Sequence, residues 1–128
     1  DAEGVWRHPA RRRLVFVGDL VDRGPRVVDV LALAMRAVAA GTALCVPGNH
    51  DDKLLRRLRG RAVHVAHGLE LTLAQLAAAP ADFAPRVAEF IERLPSHLVL
   101  DDGRLVVAHA GLRRELQGRE SRRVRDFA

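Results

Sequence analysis

The sequence predicts an α/β domain, and three short apolar segments carry the prediction: residues 14–17, 42–46 and 105–108. Each segment has the length and composition of a buried strand, and polar residues follow each one directly. A helical segment joins the first two, which is the pattern of a βαβ crossover. Polar side chains that follow the strands of an open α/β sheet lie at its functional crevice. We therefore expect the site where these strands end.

The first strand runs into Gly-Asp-Leu-Val-Asp-Arg-Gly at residues 18–24. This stretch places Asp19, Asp22 and Arg23 on a loop that a rigid scaffold would hold. Asp19 alone could be a turn former and Asp22 an ordinary loop carboxylate. Two carboxylates and a guanidinium within five residues favour a functional loop.

The segment 26–40 has apolar residues on nearly all sides, as expected of a helix that covers a sheet. Gly41 is the residue type that commonly ends such a helix. The second strand then leads through Pro47 into Gly-Asn-His-Asp at residues 48–51. These residues complete a predicted strand, helix and strand with polar groups after both strands.

The third strand is predicted as the second arm of a β-hairpin that spans residues 97–108, because Asp102-Gly103 between apolar runs is a strong turn signal. His109 follows its last residue. Between the second strand and the hairpin we expect a basic helix over residues 52–59, an edge strand or coil over 63–66, and two helices over 70–79 and 82–94, the second with Asp82 as N-cap. These two helices either cover a sheet edge or shape substrate access.

The residues after the three strands include a carboxylate (Asp19), an amide oxygen (Asn49) and an imidazole (His109). This mixture without thiolate suits Mn²⁺, Fe or Zn²⁺. Asn49 could be an ordinary turn residue and His109 a buried histidine. Because all the motifs would have to follow apolar strands by accident, the metal-site interpretation is favoured.

Composition narrows the function classes. The net charge of +5 comes almost entirely from arginine, which indicates either a surface that attracts a polyanion such as nucleic acid or a GC-rich genome. The single Cys45 is predicted to be a core residue. No stretch approaches the roughly 20 apolar residues of a membrane span, so we expect no membrane partner and a cytoplasmic location.

The three motifs, Gly-Asp-Leu-Val-Asp-Arg-Gly, Gly-Asn-His-Asp and Ala-His-Ala-Gly, resemble those of the calcineurin-like metallophosphoesterase superfamily. The resemblance implies an α/β/β/α sandwich. Family members also carry an Asp-x-His motif on an earlier strand and a later Gly-His-Thr-type motif, which this sequence lacks. We therefore expect a central fragment of one domain, without its first strand and C-terminal part. Its expected parts are a loop (1–13), a strand-helix-strand unit with metal motifs (14–51), a helical insertion (52–96), a hairpin with the metal histidine (97–111) and the start of a further segment (112–128).

The same resemblance implies a role for each motif residue. Asp19 would bridge two divalent metal ions, and Asn49 and His109 would ligate the second of them. His50 would protonate the leaving oxygen while Asp22 orients its imidazole. Arg23 would bind the phosphoryl oxygens. Mn²⁺ is the metal we expect first, with Ni²⁺, Fe or Zn²⁺ as alternatives.

Between the motifs the sequence contains Asp-Lys-Leu-Leu at residues 52–55, Arg-Gly-Arg at 59–61, His-Gly-Leu-Glu at 67–70 and Leu-Pro-Ser-His at 94–97. These segments resemble the central phosphatase module of bacterial polynucleotide kinase-phosphatase, an RNA-repair enzyme. This narrower resemblance implies hydrolysis of 3′-phosphate or 2′,3′-cyclic phosphate at RNA ends, by attack of metal-activated hydroxide, in a protein that also contains kinase and ligase-like modules. The alternatives are a serine/threonine protein phosphatase, a dinucleoside-polyphosphate hydrolase of the same superfamily, or a non-catalytic basic nucleic-acid-binding scaffold. As an isolated fragment we expect the chain to be inactive and to expose a sheet edge.

Overall fold

The computed structural model describes residues 4–119, which form a mixed α/β fold. Strands and helices alternate at first, and three helices then separate the two pairs of strands. In chain order the elements are β1 (Leu14–Phe16), α1 (Val27–Ala39), β2 (Ala43–Cys45), α2 (Asn49–Leu58), α3 (Leu69–Ala77), α4 (Phe83–Arg93), β3 (Leu98–Leu100), β4 (Leu105–Val107) and a 3₁₀ turn (Arg114–Leu116).

The predicted βαβ crossover is confirmed. Strands β1 and β2 pair in parallel, with Leu14 opposite Ala43 and Phe16 opposite Cys45, and α1 connects them. Gly41 lies just beyond α1 with φ +75°, a left-handed conformation that glycine adopts without steric cost. Because the strands are parallel, the loops that follow β1 and β2 leave the sheet at the same edge.

The predicted hairpin is also confirmed. Strands β3 and β4 pair antiparallel, with Leu98 opposite Val107 and Leu100 opposite Leu105. The turn between them contains Asp101, Asp102 and Gly103, all with positive φ. The hairpin thus delivers the chain to His109 at the end of β4.

Apolar side chains of the two strand pairs are partly open to solvent. Val99 of β3 is 44% exposed, Leu105 of β4 is 49% exposed, and Val17, which directly follows β1, is 46% exposed. Val17 and Leu105 are thus less buried than the sequence predicted. Within residues 4–119 each strand has one strand neighbour, so the two pairs form separate two-stranded sheets. Within this range each strand therefore has one side without a strand partner, and the expectation that the isolated chain exposes a sheet edge stays a prediction.

The core lies among the four helices. Leu31, Leu54, Leu69 and Ile91 are completely buried, one from each helix. They form one cluster with other buried residues, namely Val21, Val27, Leu76, Phe83 and Val87. Residues 61–66 form neither helix nor strand, so the coil alternative for residues 63–66 is the one observed.

Two helix starts differ from the sequence-based expectation. Helix α2 begins at Asn49 and not at Asp52, so the Asn-His pair lies in its first turn. Asp82 precedes α4 but makes no side-chain capping bond. Its backbone is already helical, with φ −82° and ψ −10°, whereas a capping side chain requires an extended backbone. Its carboxylate instead lies 3.9 Å from the Arg86 guanidinium.

Cys45 is 3% exposed, which confirms its predicted place in the core. Burial raises the pKa of its thiol to about 12, and the nearby Asp51 carboxylate contributes a smaller increase. Because the thiolate is the reactive form, this cysteine is chemically inert in the folded chain.

None of the helices within residues 4–119 has both the length and the apolar composition needed to cross a membrane.

Truncation of Ile91 in α4 tests the helical core. Ile91→Ala should lower the free energy of unfolding by about 2–5 kcal/mol, because it removes a fully buried side chain and leaves a cavity. Urea denaturation monitored by circular dichroism measures this loss. Leu71→Ala is the control, since Leu71 is 55% exposed and should change stability by less than about 0.5 kcal/mol. Equal losses for both variants would contradict the assigned core.

Candidate active site

The loops that follow β1 and β2 are in direct contact at two glycines. A Cβ atom on Gly18 would lie 2.3 Å from the Gly48 nitrogen, and one on Gly48 would lie 2.2 Å from Asp19 Oδ1. Gly18 also has φ +89°. Only glycine at both positions allows the two backbones to approach this closely.

A buried carboxylate, Asp51, joins the two loops. Its Oδ2 accepts the N–H groups of Asp19 at 2.7 Å and Gly48 at 2.8 Å, and its Oδ1 accepts the N–H of Leu20 at 2.9 Å. Gly48 is the N-cap of α2 and has no side chain, so the carboxylate of the third helical residue reaches back to its N–H. Sequence reasoning assigned Asp51 no role. An acidic residue three positions after a glycine N-cap is the signal that could have identified it.

Two opposing effects set the ionisation of Asp51. Burial raises the pKa of this carboxyl most strongly, and the charge of Asp19 raises it further. The three backbone N–H donors lower the pKa, and the net direction is upward. The pKa of Asp51 is therefore higher in the folded chain than in the unfolded chain. As pH rises from the unfolded-state pKa to the folded-state pKa, ionisation of Asp51 lowers the free energy of unfolding.

Asp19, Asn49 and His109 lie close together beyond the carboxyl end of β1. His109 Nε2 lies 3.1 Å from Asn49 Oδ1 and 3.5 Å from Asp19 Oδ2. On the other side of the ring, Nδ1 lies 2.7 Å from the carbonyl oxygen of Val17 and donates its hydrogen to it. In a neutral imidazole this leaves the Nε2 lone pair facing two oxygen acceptors. The three predicted metal ligands are therefore brought together from positions up to 90 residues apart in the chain.

This donor set fits a divalent cation. Carboxylate oxygen, amide oxygen and imidazole nitrogen suit Mn²⁺, Fe or Zn²⁺, and the hydrogen bond to the Val17 carbonyl holds the histidine in the tautomer that a ligand requires. No cluster of three His, Cys, Asp or Glu side chains with metal-site geometry occurs within residues 4–119. The described part of the site therefore provides a partial ligand shell, in which one of the three donors is an amide.

His50 and Asp22 form a second pair beside these ligands. His50 Nδ1 lies 2.7 Å from Asp22 Oδ2, and the Asp22 side chain is fully buried. The backbone N–H of His50 donates to Asp19 Oδ1 at 3.1 Å, so the pair is connected directly to the metal-ligand group. This is the relation between imidazole and carboxylate that the resemblance implied.

The hydroxyl of Thr72, in α3, holds Asp22 from the other side. It lies 2.8 Å from Asp22 Oδ1 and 2.8 Å from the Asp22 nitrogen. Sequence reasoning missed this residue, because it treated the helix as a cover or an access element. A threonine on the same helix face as the buried Leu69 and Leu76 was the available signal.

Arg23 lies exposed on the loop after Asp22. Within residues 4–119 its guanidinium has neither an ion pair nor a hydrogen-bond partner among the side chains. The structure therefore leaves this charge available to an anionic ligand, but it does not bring Arg23 into contact with the other site residues.

The two site aspartates have unusual backbones. Asp19 has φ +53° and Asp22 has φ +74°, in the left-handed region that residues other than glycine rarely adopt. Strained conformations of this kind persist where surrounding bonds determine them, and they concentrate at functional sites. Asp51 and Thr72 supply those bonds here, each through a backbone N–H of the strained residue.

Replacement of Asp51 tests the connection between the loops. Asp51→Asn should lower the free energy of unfolding by about 2–4 kcal/mol, because an amide has one acceptor oxygen and its NH₂ group would face a buried N–H donor. Urea denaturation measures the loss. Asp102→Asn makes the same change in the exposed hairpin turn and should be nearly neutral. A neutral result for Asp51→Asn would show that the loops are held by other contacts.

Comparison with known proteins agrees with this geometry. Residues 5–127 match the family model described as calcineurin-like phosphoesterase. Proteins of this family use a centre of two divalent metal ions. The match confirms the predicted metallophosphoesterase fold class and the expectation that the chain comes from a phosphoesterase.

Among the similar curated proteins are three named bis(5′-nucleosyl)-tetraphosphatase PrpE [asymmetrical]. The protein of Bacillus subtilis (strain 168) is 44% identical over 97% of this chain and 52% of its own length. That of Anoxybacillus flavithermus is 43% identical over 96% of this chain and 54% of its own. The protein of Geobacillus thermodenitrificans is 43% identical over 98% of this chain and 53% of its own length. The chain thus spans about half the length of the curated relatives it matches.

These names correct the narrower resemblance to polynucleotide kinase-phosphatase. They correspond to the dinucleoside-polyphosphate alternative and not to RNA-end repair. The superfamily assignment is unaffected, because it depends on the three motifs and on the family match over nearly the whole chain. The chain belongs to the calcineurin-like phosphoesterase family.

Proposed function

We propose that this chain supplies the catalytic centre of a metal-dependent hydrolase whose substrate is a dinucleoside tetraphosphate. The observation that carries the proposal is the placement of Asp19, Asn49 and His109 directly beside the hydrogen-bonded Asp22–His50 pair. The identity of 43% to 44% with proteins named as tetraphosphatases supports this substrate over RNA ends and phosphoproteins.

Asp19, Asn49 and His109 are the residues that would hold a divalent ion. Such an ion, when bound, neutralises charge on the phosphoryl oxygens and acidifies the attacking water. Two hydrogen bonds fix the position of Asp19 for this role. Its backbone N–H donates to the Asp51 carboxylate, and its side-chain Oδ1 accepts the His50 N–H. A carboxylate that is fixed in this way loses little conformational entropy when it coordinates.

His50 is the proton donor in this proposal. Asp22 accepts a hydrogen bond from Nδ1, which leaves Nε2 as the nitrogen available to substrate. As water attacks a phosphorus atom, the bond from that phosphorus to its bridging oxygen breaks. His50 delivers a proton from Nε2 to this oxygen, and the attacking water loses a proton to solvent. General acid catalysis of this kind contributes about 10²- to 10⁴-fold to a rate.

Three cations on the loop after β1 and in α2 suit a chain of several phosphates: Arg23 and Arg56 are exposed, and Lys53 is half-buried. Arg23 can bind non-bridging oxygens with two parallel hydrogen bonds. Lys53 and Arg56 follow Asn49 by four and seven residues in α2, so all three lie on the same side of the helix. Neither cation forms an ion pair with a carboxylate of residues 4–119. A tetraphosphate could therefore contact positive charge beyond the phosphate that reacts.

A substrate panel tests the proposal in the full-length protein with Mn²⁺. We expect kcat/KM for a dinucleoside tetraphosphate to exceed the values for RNA with 2′,3′-cyclic or 3′-phosphate ends and for a phosphopeptide by at least about tenfold, since each tenfold step requires only 1.4 kcal/mol of extra transition-state binding. Chromatography of the products should show a mononucleotide and a nucleoside triphosphate, as asymmetrical cleavage requires.

Other outcomes of the panel would contradict the proposal in different ways. Preference for RNA ends would restore the RNA-repair interpretation with the same catalytic residues. Two nucleoside diphosphates as products would contradict asymmetrical cleavage. Turnover of none of the substrates by metal-loaded protein would favour the non-catalytic basic scaffold.

Two substitutions separate metal binding from proton donation. His50→Ala in the full-length protein should lower kcat about 10²-fold and leave the metal content unchanged, because His50 is the proposed acid and not a ligand. Asp19→Ala should lose metal, as measured by inductively coupled plasma mass spectrometry. His64→Ala, at an exposed histidine outside the site, is the control for both measurements. Loss of metal in His50→Ala would show that the acid and ligand roles are assigned incorrectly.

A further inference from the structure

We propose that Thr72 is a positioning residue for the reaction: its hydroxyl determines the orientation of the Asp22 carboxylate, which in turn orients the His50 imidazole. The proposal rests on the proposed role of His50 as proton donor. It gives α3 a function in the site, beyond packing against the rest of the domain.

The hydrogen bonds of Asp22 assign one donor to each carboxylate oxygen. His50 Nδ1 lies 2.7 Å from Oδ2, and Thr72 Oγ1 lies 2.8 Å from Oδ1. The torsion that rotates a carboxylate is broad and weakly restrained by itself. A bond to His50 alone would leave that rotation free, whereas the second donor fixes the plane of the carboxylate and with it the direction of Oδ2.

The same hydroxyl also holds the main chain of Asp22. The Asp22 N–H donates to Thr72 Oγ1 at 2.8 Å, and the residue has φ +74°. A hydroxyl can accept one bond while it donates another, so Thr72 satisfies both groups at once. Thr72 is completely buried, so these bonds are shielded from bulk water.

The start of α3 lies directly against the backbone of Asp22. A Cβ atom on Gly68, the residue before the helix, would lie 1.7 Å from the Asp22 carbonyl oxygen. Only glycine permits this approach, and it sets the distance from which Thr72 reaches Asp22. The helix and the loop are therefore held in one relative position.

Gln75, one turn further along α3, provides a matched control. Its Oε1 accepts the Val27 N–H at 2.8 Å and its Nε2 donates to the Gly24 carbonyl oxygen at 3.3 Å. It thus connects the same helix to the same loop without a contact to Asp22. If Thr72 merely attaches the helix to the loop, loss of Gln75 should have the same consequences as loss of Thr72.

The first readout is the proton resonance of the His50 Nδ1–H group in the full-length protein. A hydrogen bond of 2.7 Å to a buried carboxylate should give a strongly downfield signal, which His50→Ala identifies by its disappearance. Thr72→Val should shift this signal upfield or remove it, whereas Thr72→Ser and Gln75→Met should retain it. Retention in Thr72→Val, or equal loss in Gln75→Met, would overturn the proposal.

The second readout is kinetic, with a dinucleoside tetraphosphate as substrate. Thr72→Val should lower kcat by about 10-fold with KM changed less than about twofold, and Thr72→Ser should restore most of the loss. In the His50→Ala background the same substitution should lower kcat by less than about twofold, because Thr72 acts through His50. Equal effects in both backgrounds would overturn the proposal.

The two readouts separate this proposal from the proposed function. The resonance is measured without substrate, so a protein that hydrolyses no tetraphosphate still tests whether Thr72 orients His50. If Thr72→Val does not fold, Thr72→Ala removes the hydroxyl without placing a methyl group against the carboxylate. Thr72→Ala should show the same loss of the resonance, and its retention there would contradict the orientation role.

Discussion

The site depends on one buried carboxylate that accepts three backbone N–H groups from two loops. Asp51 lies in the first turn of α2, yet two of its bonds go to the loop after β1, more than 30 residues earlier. Parallel pairing of β1 and β2 brings these loops to the same sheet edge, and Gly18 and Gly48 allow them to touch. The carboxylate then determines their register. A second bond, from the His50 N–H to Asp19 Oδ1, connects the same two loops.

His50 connects the two halves of the site. Its backbone N–H binds the Asp19 carboxylate on the metal-ligand side, and its ring binds Asp22 on the side of α3. The two aspartates differ in solvent exposure, since the Asp19 side chain is 37% exposed and that of Asp22 is fully buried. This difference matches their proposed roles. A ligand must be reachable by an ion, whereas a carboxylate that only orients a histidine is better shielded from water.

The narrower resemblance to an RNA-repair module is not supported by the relatives, whose names correspond to the dinucleoside-polyphosphate alternative. It depended on the segments between the motifs, and those segments contribute the core residues Leu54, Leu69 and Ile91. The same segments carry Lys53 and Arg56, the cations proposed to contact the substrate, so they combine core packing with candidate substrate contacts. The three motifs indicate the reaction class, since metal ligands, a histidine and an arginine suit phosphate-ester hydrolysis with many different leaving groups. Substrate choice must come from groups that contact the parts of the ligand that do not react.

By itself, the sequence determined the reaction class, the order of strands and helices, and the types of side chain at three strand ends. These follow from local patterns: apolar runs of strand length, glycine at turns and polar residues directly after strands. Only the tertiary structure decided that Asp51 joins the loops and that Thr72 holds Asp22. Both are single polar residues on buried helix faces, and their partners lie 30 to 50 residues away in the chain. Local pattern shows only that Asp51 stands three positions after Gly48 and that Thr72 lies on a buried helix face. It does not show their distant partners, because the approach of the two backbones creates those bonds.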